Sequence, residues 1–501
     1  MENSYIKIPQ FTTINEILNK NYTLSASQYK EFHTENKNVY RLGDLLTKEL
    51  TRKNLGNDVG TENYVEKSNY TFIKTKALQS NSYTIADLKD ASVFIKPKAF
   101  INQHLKKHDI LVSKDSNVGE AIMLDKDLNN DMVCGAIYNL PIIDNKYYVF
   151  SYMKTDLFKE QLNFLVPKGA TIKHGKTLFL DCLVPFPNKN KDKIIKYIEL
   201  MTKSIVEKET LIKEKYNQII ERIDKELKEN QGTGIFVYNL PNIKEIMKMD
   251  RMDSCLYSKE FKKKEFMIKN YKFGYKTIAD MDFEISRGQN LQVSNIGKSI
   301  QSNRRKNGYY RLVMPNFITK YGTISTISYL GNQHKLKVLN VGDLIFGAEG
   351  NEKGRSYVVI ENTEKTITNI HGITINHHKN KMQKSIFIKL FLDYYRYQGM
   401  IDDYAVGGNG GSLAIKYWDY LKFPEFPEEV EKEIVNLYTT SVPLDKYSEC
   451  DINSFIDIDN ELTKQMGIYE LDKTINMFKD LIKDAFIKIA DDKEVEINFK
   501  I

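Results

Sequence analysis

Two stretches of the chain, "HDILVSKDSNVGEAIMLD" (residues 108–125) and "GDLIFGAEGNEKGRSYVVIE" (residues 342–361), resemble each other at a separation of 234 residues. Each begins with an apolar run, passes through a turn that contains glycine, and returns to an apolar run. The alignment pairs Asp109 with Asp343 and Gly119 with Gly354. This pattern predicts two strands joined by a tight turn, present twice in the chain.

Further paired stretches occur in the same order, at separations of 229 to 240 residues. They are "SASQYKEF" with "SCLYSKEF", "YRLGDLLTKELTRKNL" with "YKTIADMDFEISRGQNL", "YTFIKTKAL" with "YRLVMPNF", "VCGAIYNLPII" with "NIHGITINHH", and "LVPFP" with "LKFPEFP". One such pair could arise by chance, but six in a constant order indicate an internal repeat. The chain therefore consists of two related halves.

A glycine-bearing loop after an apolar run can also hold a nucleotide phosphate, so this alternative must be weighed. Such a loop needs a Gly-Lys-Ser or Gly-Lys-Thr ending with an earlier glycine at fixed spacing. The second copy instead ends in "GNEKGR", and "NIGKS" (residues 295–299) has Gln292 and Val293 where the glycine is required. We favour the tight turn and keep the phosphate loop as the minor alternative.

A long helix is predicted after each half. Residues 191–229 contain neither Pro nor Gly, and apolar residues recur close to a 4-3-4 spacing. The seam residues are Ile194, Ile198, Met201, Ile205, Ile212, Tyr216, Ile219, Ile223 and Leu227. The second helix begins at Glu428, is interrupted around Pro443, and resumes with Leu471. Because two such apolar stripes would otherwise be exposed, we expect the helices to pair antiparallel.

The resulting prediction is an α+β protein with four successive parts. These are a first globular domain (1–188), a central helix that acts as a spacer (189–231), a second globular domain (232–427) and a C-terminal helix with an insertion at 439–467 (428–501). Pairing of the helices as an antiparallel coiled coil would relate the two domains by an approximate two-fold axis.

Length and composition agree with this layout. The 501 residues exceed one ordinary core, and the 41 % hydrophobic share supports packed domains. The four cysteines are scattered, which indicates neither a disulfide framework nor a metal site. The sequence shows no secretion signal or membrane span, so we expect a soluble cytoplasmic protein. A net charge of +7 is compatible with nucleic acid but is weak support by itself.

Motifs for catalysis are missing or unrepeated. No Asn/Asp-Pro-Pro-aromatic loop of an amino-methyltransferase is found, and no acidic pair recurs in both halves. His371, His377 and His378 could suggest a nuclease, but the matching stretch in the first half has no histidine. We expect no catalytic residues and no metal ligands, and interpret these histidines as strand and turn residues.

DNA recognition remains as the function that the sequence favours. Loops in both halves carry side chains that bind phosphates and base edges. Arg and Lys suit guanine, Asn and Gln suit adenine, and further Lys neutralise phosphates. The candidates are Ser113, Lys114, Asn117, Lys168, Lys173, His174, Lys176, Thr177, Arg287, Gln289, Asn290, Arg304, Arg305, Lys306, Asn307, Arg355, Asn409, Ser412 and Lys416. The alternative for each is an ordinary solvated surface side chain.

The whole layout resembles the specificity (S) subunits of type I restriction-modification systems. The stretches that carry the resemblance are "RMDSCLYSKEF", "YKTIADMDFEISRGQN", "GDLIFGAEGNEKGRSYVVIE" and "GGNGGSLAIKYWDYLKFPEFP", with their first-half counterparts. The resemblance implies two tandem target recognition domains, each followed by a helix of an antiparallel coiled coil. It also implies a non-catalytic subunit that recognises a bipartite, asymmetric site on double-stranded DNA.

The same resemblance implies the partners. Two copies of a DNA methyltransferase subunit would dock on the helices and methylate adenine, and a restriction/translocase subunit would cleave the DNA. S-adenosylmethionine, ATP and Mg would be used by these partners and not by this chain.

Two departures from the family pattern concern the region where partners would dock. The strings "FPNKNKDKIIKYI" and "FPEFPEEVEKEIV" lack the usual Glu-Gln pair at the helix start, and the C-terminal helix contains the insertion. A recognition subunit of a related phage-defence system with different partners therefore stays open. So do a stand-alone enzyme and a scaffold that binds proteins without recognising DNA.

Overall fold

The computed structural model describes residues 5–19, 22–88, 90–142, 144–166, 176–361, 364–377, 381–407 and 410–500. The chain divides into two compact units. The first comprises Met1–Leu211, Val442–Gln465 and Leu471–Ile501, and the second comprises Ile212–Ser441 and Met466–Glu470.

The first unit is built on short strands. They are β1 (Ile6–Lys7), β2 (Glu31–Phe32), β3 (Val39–Arg41), β4 (Tyr64–Val65), β5 (Thr71–Ile73), β6 (Ser92–Ile95), β7 (Ile110–Ser113), β8 (Ala121–Met123), β9 (Asp131–Val133), β10 (Ile137–Leu140) and β11 (Leu183–Pro185). One sheet has the order β4-β6-β5-β9, a second has the order β10-β7-β8, and β11 pairs with β3. All pairs are antiparallel except β5 with β9.

The second unit repeats this arrangement. Its strands are β12 (Tyr275–Lys276), β13 (Phe283–Arg287), β14 (Ser299–Ser302), β15 (Tyr310–Leu312), β16 (Tyr329–Asn332), β17 (Leu344–Gly347), β18 (Ser356–Val358), β19 (Thr366–Ile367), β20 (Gly372–His377) and β21 (Phe423–Pro424). The sheets have the orders β14-β16-β15-β19 and β13-β20-β17-β18, and β12 pairs with β21.

The two strand orders correspond element by element. Strands β14, β16, β15 and β19 take the places of β4, β6, β5 and β9, and β15 with β19 is again the parallel pair. Strands β20, β17 and β18 take the places of β10, β7 and β8, with β13 added at the edge. The internal repeat predicted from the sequence is thus confirmed at the level of strand order.

The paired stretches that first revealed the repeat form the β7–β8 and β17–β18 hairpins. Both inner strands, β7 and β17, are buried along their whole length, as continuous apolar runs predict. Gly119 (φ +78°) and Gly354 (φ +86°) take left-handed backbone conformations in the two turns. The predicted pair of strands is therefore confirmed for both copies, but the connections at 114–120 and 348–355 are longer than a tight turn.

The helices complete each unit. They are α1 (Ile14–Asn19), α2 (Lys146–Met153), α3 (Asp156–Leu165), α4 (Lys191–Glu229), α5 (Ile243–Met249), α6 (Lys259–Lys269), α7 (Val293–Ile296), α8 (Met382–Tyr397), α9 (Met400–Tyr404), α10 (Glu428–Tyr438), α11 (Phe455–Gln465) and α12 (Ile468–Ala490). Within the described ranges, no helix is both long enough and apolar enough to span a membrane.

Helix α4 has the bounds that its sequence predicts, and every predicted seam residue is buried. In the first unit α12 runs beside the beginning of α4 in the opposite direction. Asn188, just before α4, donates from Nδ2 to Asp492 Oδ1 at 2.8 Å. Further along α4, Glu209 Oε1 lies 3.2 Å from Lys479 Nζ on α12. Because Lys479 precedes Asp492 in the chain, the two helices run in opposite directions. The C-terminal seam is predicted to consist of Val430, Ile434, Leu437, Leu471, Ile475, Phe478, Ile482, Ala485 and Ile489. All of these are buried as well except Val430 and Leu437, which are half-buried.

The insertion at 439–467 contains a short 3₁₀ turn and helix α11, which join a buried polar network against α4. Lys208 Nζ donates to Asp459 Oδ1 at 2.6 Å and to Thr463 Oγ1 at 2.8 Å. The Tyr447 hydroxyl donates to the same Asp459 oxygen at 2.5 Å. Such a satisfied network favours one register of packing, because any slip would bury unpaired charge.

Candidate nucleic-acid interface

The first group of candidate side chains in the second unit lies where β13 ends. Arg287 Nη1 is 3.1 Å from Glu349 Oε1, and the other oxygen of Glu349 lies 2.7 Å from His371 Nδ1. The backbone of Ser412 forms an isolated bridge with Glu349. Glu349 therefore joins the end of β13, the β17–β18 turn, the start of β20 and the glycine-rich loop at residue 412.

The amides after β13 shape the next turn. Gln289 Oε1 accepts a hydrogen bond from the main-chain N–H of Lys337 at 3.2 Å. Asn290 Oδ1 accepts from the N–H of Gln292 at 3.1 Å. Both side chains are half-buried, so in this structure they define the path of the chain from β13 to β14.

A second group occupies the loop between β14 and β15, which we call the basic loop (residues 303–309). Its exposed side chains include Arg304, Arg305, Lys306 and Asn307. Arg305 Nε lies 3.4 Å from Glu364 Oε1 and remains 68 % exposed. Cations presented on a surface loop in this way suit contacts with phosphates.

Strand β14 extends this surface, because it is the edge strand of its sheet. Ser299, Ile300 and Gln301 are exposed along it, and Lys298 precedes them, also exposed. Asn332 Nδ2 donates to the carbonyl oxygen of Ile296 at 3.0 Å, which fixes the entry to the strand. The edge strand and the basic loop together present cations, amides and one apolar side chain.

Arg355 has a different position from the other candidates. Its side chain is 6 % exposed, and Nη1 donates to the Ile318 carbonyl at 3.0 Å. Nη2 lies 2.5 Å from Glu352 Oε2, which also accepts from Arg396 at 3.2 Å. In this structure Arg355 stabilises the β17–β18 turn from inside and does not face solvent.

Lys416 is exposed but paired. Its Nζ lies 3.1 Å from Asp250 Oδ2, and this hydrogen bond raises the pKa of Lys416. Asn409, the remaining candidate of this unit, lies outside the described residues.

Three of the eight candidates of the first unit lie at the β7–β8 turn and are engaged there. Ser113 is fully buried and donates from Oγ to the Asp115 carbonyl at 2.6 Å. Lys114 Nζ is 3.2 Å from Asp115 Oδ2, and Asn117 Nδ2 donates to the Leu78 carbonyl at 3.1 Å.

Two further candidates of this unit, Lys176 and Thr177, are exposed. The other three, Lys168, Lys173 and His174, lie outside the described residues.

Two exposed cations were not among the candidates predicted from the sequence, although they have the same chemistry. Arg52 and Lys53 lie in "TRKNL", the counterpart of "SRGQNL", and both are exposed. Arg52 therefore corresponds to Arg287. The alignment of the two halves already contained this signal, because it pairs the two arginines directly.

Two buried lysines at corresponding positions, 235 residues apart, were also missed. Lys154 Nζ donates to the carbonyls of Gln79 and Ala121, both at 2.8 Å, and lies 3.8 Å from Glu120. Burial lowers the pKa of Lys154 to about 7. Two of its neighbours, Gln79 and Glu120, line a cavity of about 300 Å³.

The counterpart in the second unit, Lys389, is held more tightly. Its Nζ donates to Asp393 Oδ2 at 2.6 Å and to the Tyr321 carbonyl at 3.1 Å. Burial lowers the pKa of Lys389 and raises that of Asp393. In each unit the lysine fixes a loop to the helices that pack on the sheets.

Among the residues that the structure describes, no group of three or more His, Cys, Asp or Glu side chains is placed to hold a metal ion. Exposed candidate cations lie on loops in both units, Lys176 in the first and Arg304, Arg305 and Lys306 in the second. Such groups bind phosphates and base edges through hydrogen bonds and charge.

No protein-family model matches the sequence, and no curated protein matches it. Among solved structures, the chain is similar to the S subunit of a type I restriction-modification system from M. genitalium. The sequence identity is 12 %, the TM-score is 0.39, and the match covers 90 % of this chain and 97 % of that chain.

Two further structures match over most of their length. A chain from a study of complex assembly and conformational transition of the type I R-M system has 11 % identity and a TM-score of 0.26. That match covers 92 % of this chain and 99 % of the other. The HsdS subunit from Thermoanaerobacter tengcongensis has 12 % identity, a TM-score of 0.26 and coverage of 90 % and 96 %.

Proposed function

We propose that this chain is the DNA sequence-recognition subunit of a type I restriction-modification complex. The observation that carries the proposal is the duplication of one fold with donor-bearing loops at corresponding places. Arg52 in the first unit and Arg287 in the second occupy the same position in the aligned stretches. A chain with two such modules is suited to a site in two parts, with one half-site for each module.

In this recognition, phosphate contacts would position the protein and base contacts would provide sequence specificity. Exposed cations, such as Arg304, Lys306 and Lys176, would neutralise phosphates and position the protein. Arg287 and Gln289 have the side-chain chemistry to discriminate guanine and adenine. Arg355 and Ser113 would contribute indirectly, because they stabilise the turns that carry other candidates.

The long helices would set the spacing between the half-sites. We propose that α4 and the C-terminal helices form an antiparallel coiled coil, which relates the recognition domains (1–188 and 232–427) by an approximate two-fold axis. The opposite direction of α12 beside the beginning of α4 supports this pairing. The half-sites would then be separated by a constant number of base pairs.

The chain itself would have no catalytic role. Two copies of a methyltransferase subunit would bind to it and methylate adenine with S-adenosylmethionine, and a restriction/translocase subunit would use ATP and Mg to cleave DNA. The complex would act in the cytoplasm, where both the host chromosome and invading DNA are accessible.

Selection of bound DNA from a random duplex library, at moderate salt and with the co-purified methyltransferase subunit, tests this proposal. We expect enrichment of a two-part motif with a fixed gap. Replacing the segment 232–427 with that of another such subunit should change only one part of the motif. Absence of any enriched motif would overturn the proposal and favour a protein scaffold.

A further inference from the structure

The side chain of Glu349 joins two polar side chains that are distant from it in the chain. Arg287 lies 62 residues before it, and His371 lies 22 residues after it. Each partner takes a different oxygen of the carboxylate, Oε1 for Arg287 and Oε2 for His371. Arg287 is 32 % exposed, Glu349 36 % and His371 62 %. The carboxylate therefore orients two side chains that both reach the surface of the second unit.

Arg287 is held through only one of its three guanidinium nitrogens. Its Nη1 donates to Glu349 Oε1 at 3.1 Å and to the Ile370 carbonyl at 3.4 Å. Among the residues that the structure describes, neither Nε nor Nη2 has a hydrogen-bond partner. These two nitrogens form one edge of the planar guanidinium, and their N–H groups point in the same direction. This Nε–Nη2 edge can bind two neighbouring acceptors at once.

The backbone beneath Arg287 is fixed as well. Strand β13 pairs with β20 up to Arg287 opposite Ile373, and the Gly288 N–H then donates to the Gly372 carbonyl at 2.9 Å. A Cβ at Gly288 would lie 2.1 Å from the carbonyl oxygen of Asn369, so only glycine permits this close approach. Both the origin and the tip of the Arg287 side chain are therefore constrained.

This constraint separates Arg287 from the cations of the basic loop. Arg305 is 68 % exposed, and its Nε lies 3.4 Å from Glu364 Oε1. A mobile cation can follow a phosphate, whereas a side chain that is already ordered loses less entropy when it makes a directional contact. The charge of Arg287 is also offset by Glu349, which weakens its attraction for phosphates. Arg287 is thus suited to a base edge.

The base that matches the Nε–Nη2 edge is guanine. Of the four bases, guanine alone presents two neighbouring acceptors, O6 and N7, in the major groove. Adenine and cytosine place a donor there, and thymine offers one acceptor beside a methyl group. Two parallel N–H donors therefore fit guanine and leave a donor or acceptor unsatisfied on each of the other bases.

The first unit lacks this arrangement although it has the corresponding residues. Arg52 is aligned with Arg287, and Asp115 is aligned with Glu349. Asp115 Oδ2 instead lies 3.2 Å from Lys114 Nζ. Within the described part of the chain, the Arg52 side chain forms no ion pair. An arginine held by a carboxylate is thus a property of the second unit.

We infer that Glu349 is a positioning residue, which holds Arg287 so that the Nε–Nη2 edge contacts O6 and N7 of one guanine. This guanine belongs to the half-site of the second unit, and the inference rests on the function proposed above. Glu349 itself touches no base and acts through Arg287. Its contribution is to base preference, not to overall affinity.

The test uses the full chain with the co-purified methyltransferase subunit and the motif selected from a random duplex library. Fluorescence anisotropy then compares duplexes in which each guanine of the motif is replaced in turn. Arg287→Lys keeps the charge but removes the two-donor edge, so the preference for one guanine should fall by about tenfold to a hundredfold. Glu349→Ala should reduce the preference at the same guanine, by less, because Arg287 is still present.

A conservative variant separates positioning from a merely structural role. Glu349→Gln keeps an acceptor for Arg287 and should retain more of the guanine preference than Glu349→Ala. Loss of a structural contact would weaken binding to all duplexes alike and would leave the preference unchanged. The Arg287 and Glu349 variants should unfold close to the temperature of the unaltered chain, since both side chains are partly exposed.

Two matched controls come from residues of the same chemistry. Asp115→Ala removes the carboxylate aligned with Glu349 and should leave the preference at that guanine unchanged. Arg305→Ala should weaken binding to all duplexes alike and reduce the slope of log affinity against log salt concentration by about one, as for a phosphate contact.

Full guanine preference in Glu349→Ala, at the position that Arg287→Lys loses, would overturn the inference. So would equal weakening of all duplexes by Arg287→Lys, because Arg287 would then contact a phosphate. Either result leaves the two-part motif, and with it the proposed function, intact. An unaltered chain that enriches no motif would overturn both, so the two failures can be distinguished.

Discussion

The loop between β4 and β5 and the loop between β14 and β15 occupy the same place in the same strand order, but their chemistry differs. The first (residues 66–70) contains one cation, Lys67, beside the acidic Glu66. The second, the basic loop, contains Arg304, Arg305 and Lys306. The strands on either side are constrained by pairing, and β5 and β15 also by burial, whereas an exposed loop is free to change. In this fold the sheets preserve the architecture and the loops can specialise.

The buried lysines show the opposite behaviour, because both units retain one at the corresponding position. Their partners nevertheless differ. Lys389 is paired with a carboxylate that is itself buried, while Lys154 is held mainly by two carbonyls and a more distant, partly exposed Glu120. The consequences of removing each lysine should therefore differ.

The largest effect is expected for Lys389→Met. This change leaves Asp393 as an unpaired buried carboxylate, which costs about 3–5 kcal/mol of unfolding free energy. Lys154→Met leaves only carbonyls without their donor and should cost less, about 1–3 kcal/mol. Chemical denaturation of each variant at pH 7 measures both values.

The matched control is the double variant Lys389→Met with Asp393→Leu, which removes both charges. It should recover most of the lost stability, because no buried charge remains without a partner. Equal losses for Lys389→Met and Lys154→Met would show that the two lysines have the same role despite their different partners.

A smaller effect is expected when the loops are compared on DNA. Replacing Arg304, Arg305 and Lys306 together with alanine should reduce the slope of log affinity against log salt concentration by about three if each contacts a phosphate. Lys67→Ala should reduce it by about one at most, because that loop has a single cation. Fluorescence anisotropy with a duplex carrying the selected motif, at several salt concentrations, measures these slopes. Equal slopes for the two variants would remove the distinction between the loops.

The smallest effect is a pH dependence of stability from Lys154. Its pKa is about 7 in the folded protein, below the usual value of 10.5, so above pH 7 the unfolded chain binds more protons than the folded one. Stability should therefore rise with pH relative to Lys154→Met, by about 1 kcal/mol per unit between pH 7 and 9. Below pH 7 both states are protonated, and this difference should level off. A constant difference from pH 6 to 9 would contradict a lowered pKa.

Much of the fold could be predicted because its signals are local. The repeat is visible as similar strings in a constant order, and α4 has an uninterrupted apolar seam without Pro or Gly. The left-handed turns at Gly119 and Gly354 follow from glycine between two apolar runs. The candidate DNA-binding site was harder to predict, since loop composition does not determine which side chains face solvent.

The sequence by itself determined the two related halves, their strand-turn-strand units and the helix that follows the first half. These follow from the spacing of apolar residues and glycines, which acts over a few neighbouring positions. Only the tertiary structure decided that Arg355 and Ser113 lie inside, and that the basic loop and Arg52 lie outside. Burial of a polar side chain depends on partners distant in the chain, such as the Ile318 carbonyl that holds Arg355. The same dependence explains the buried lysines, whose hydrogen-bond acceptors come together only when the sheets and helices pack.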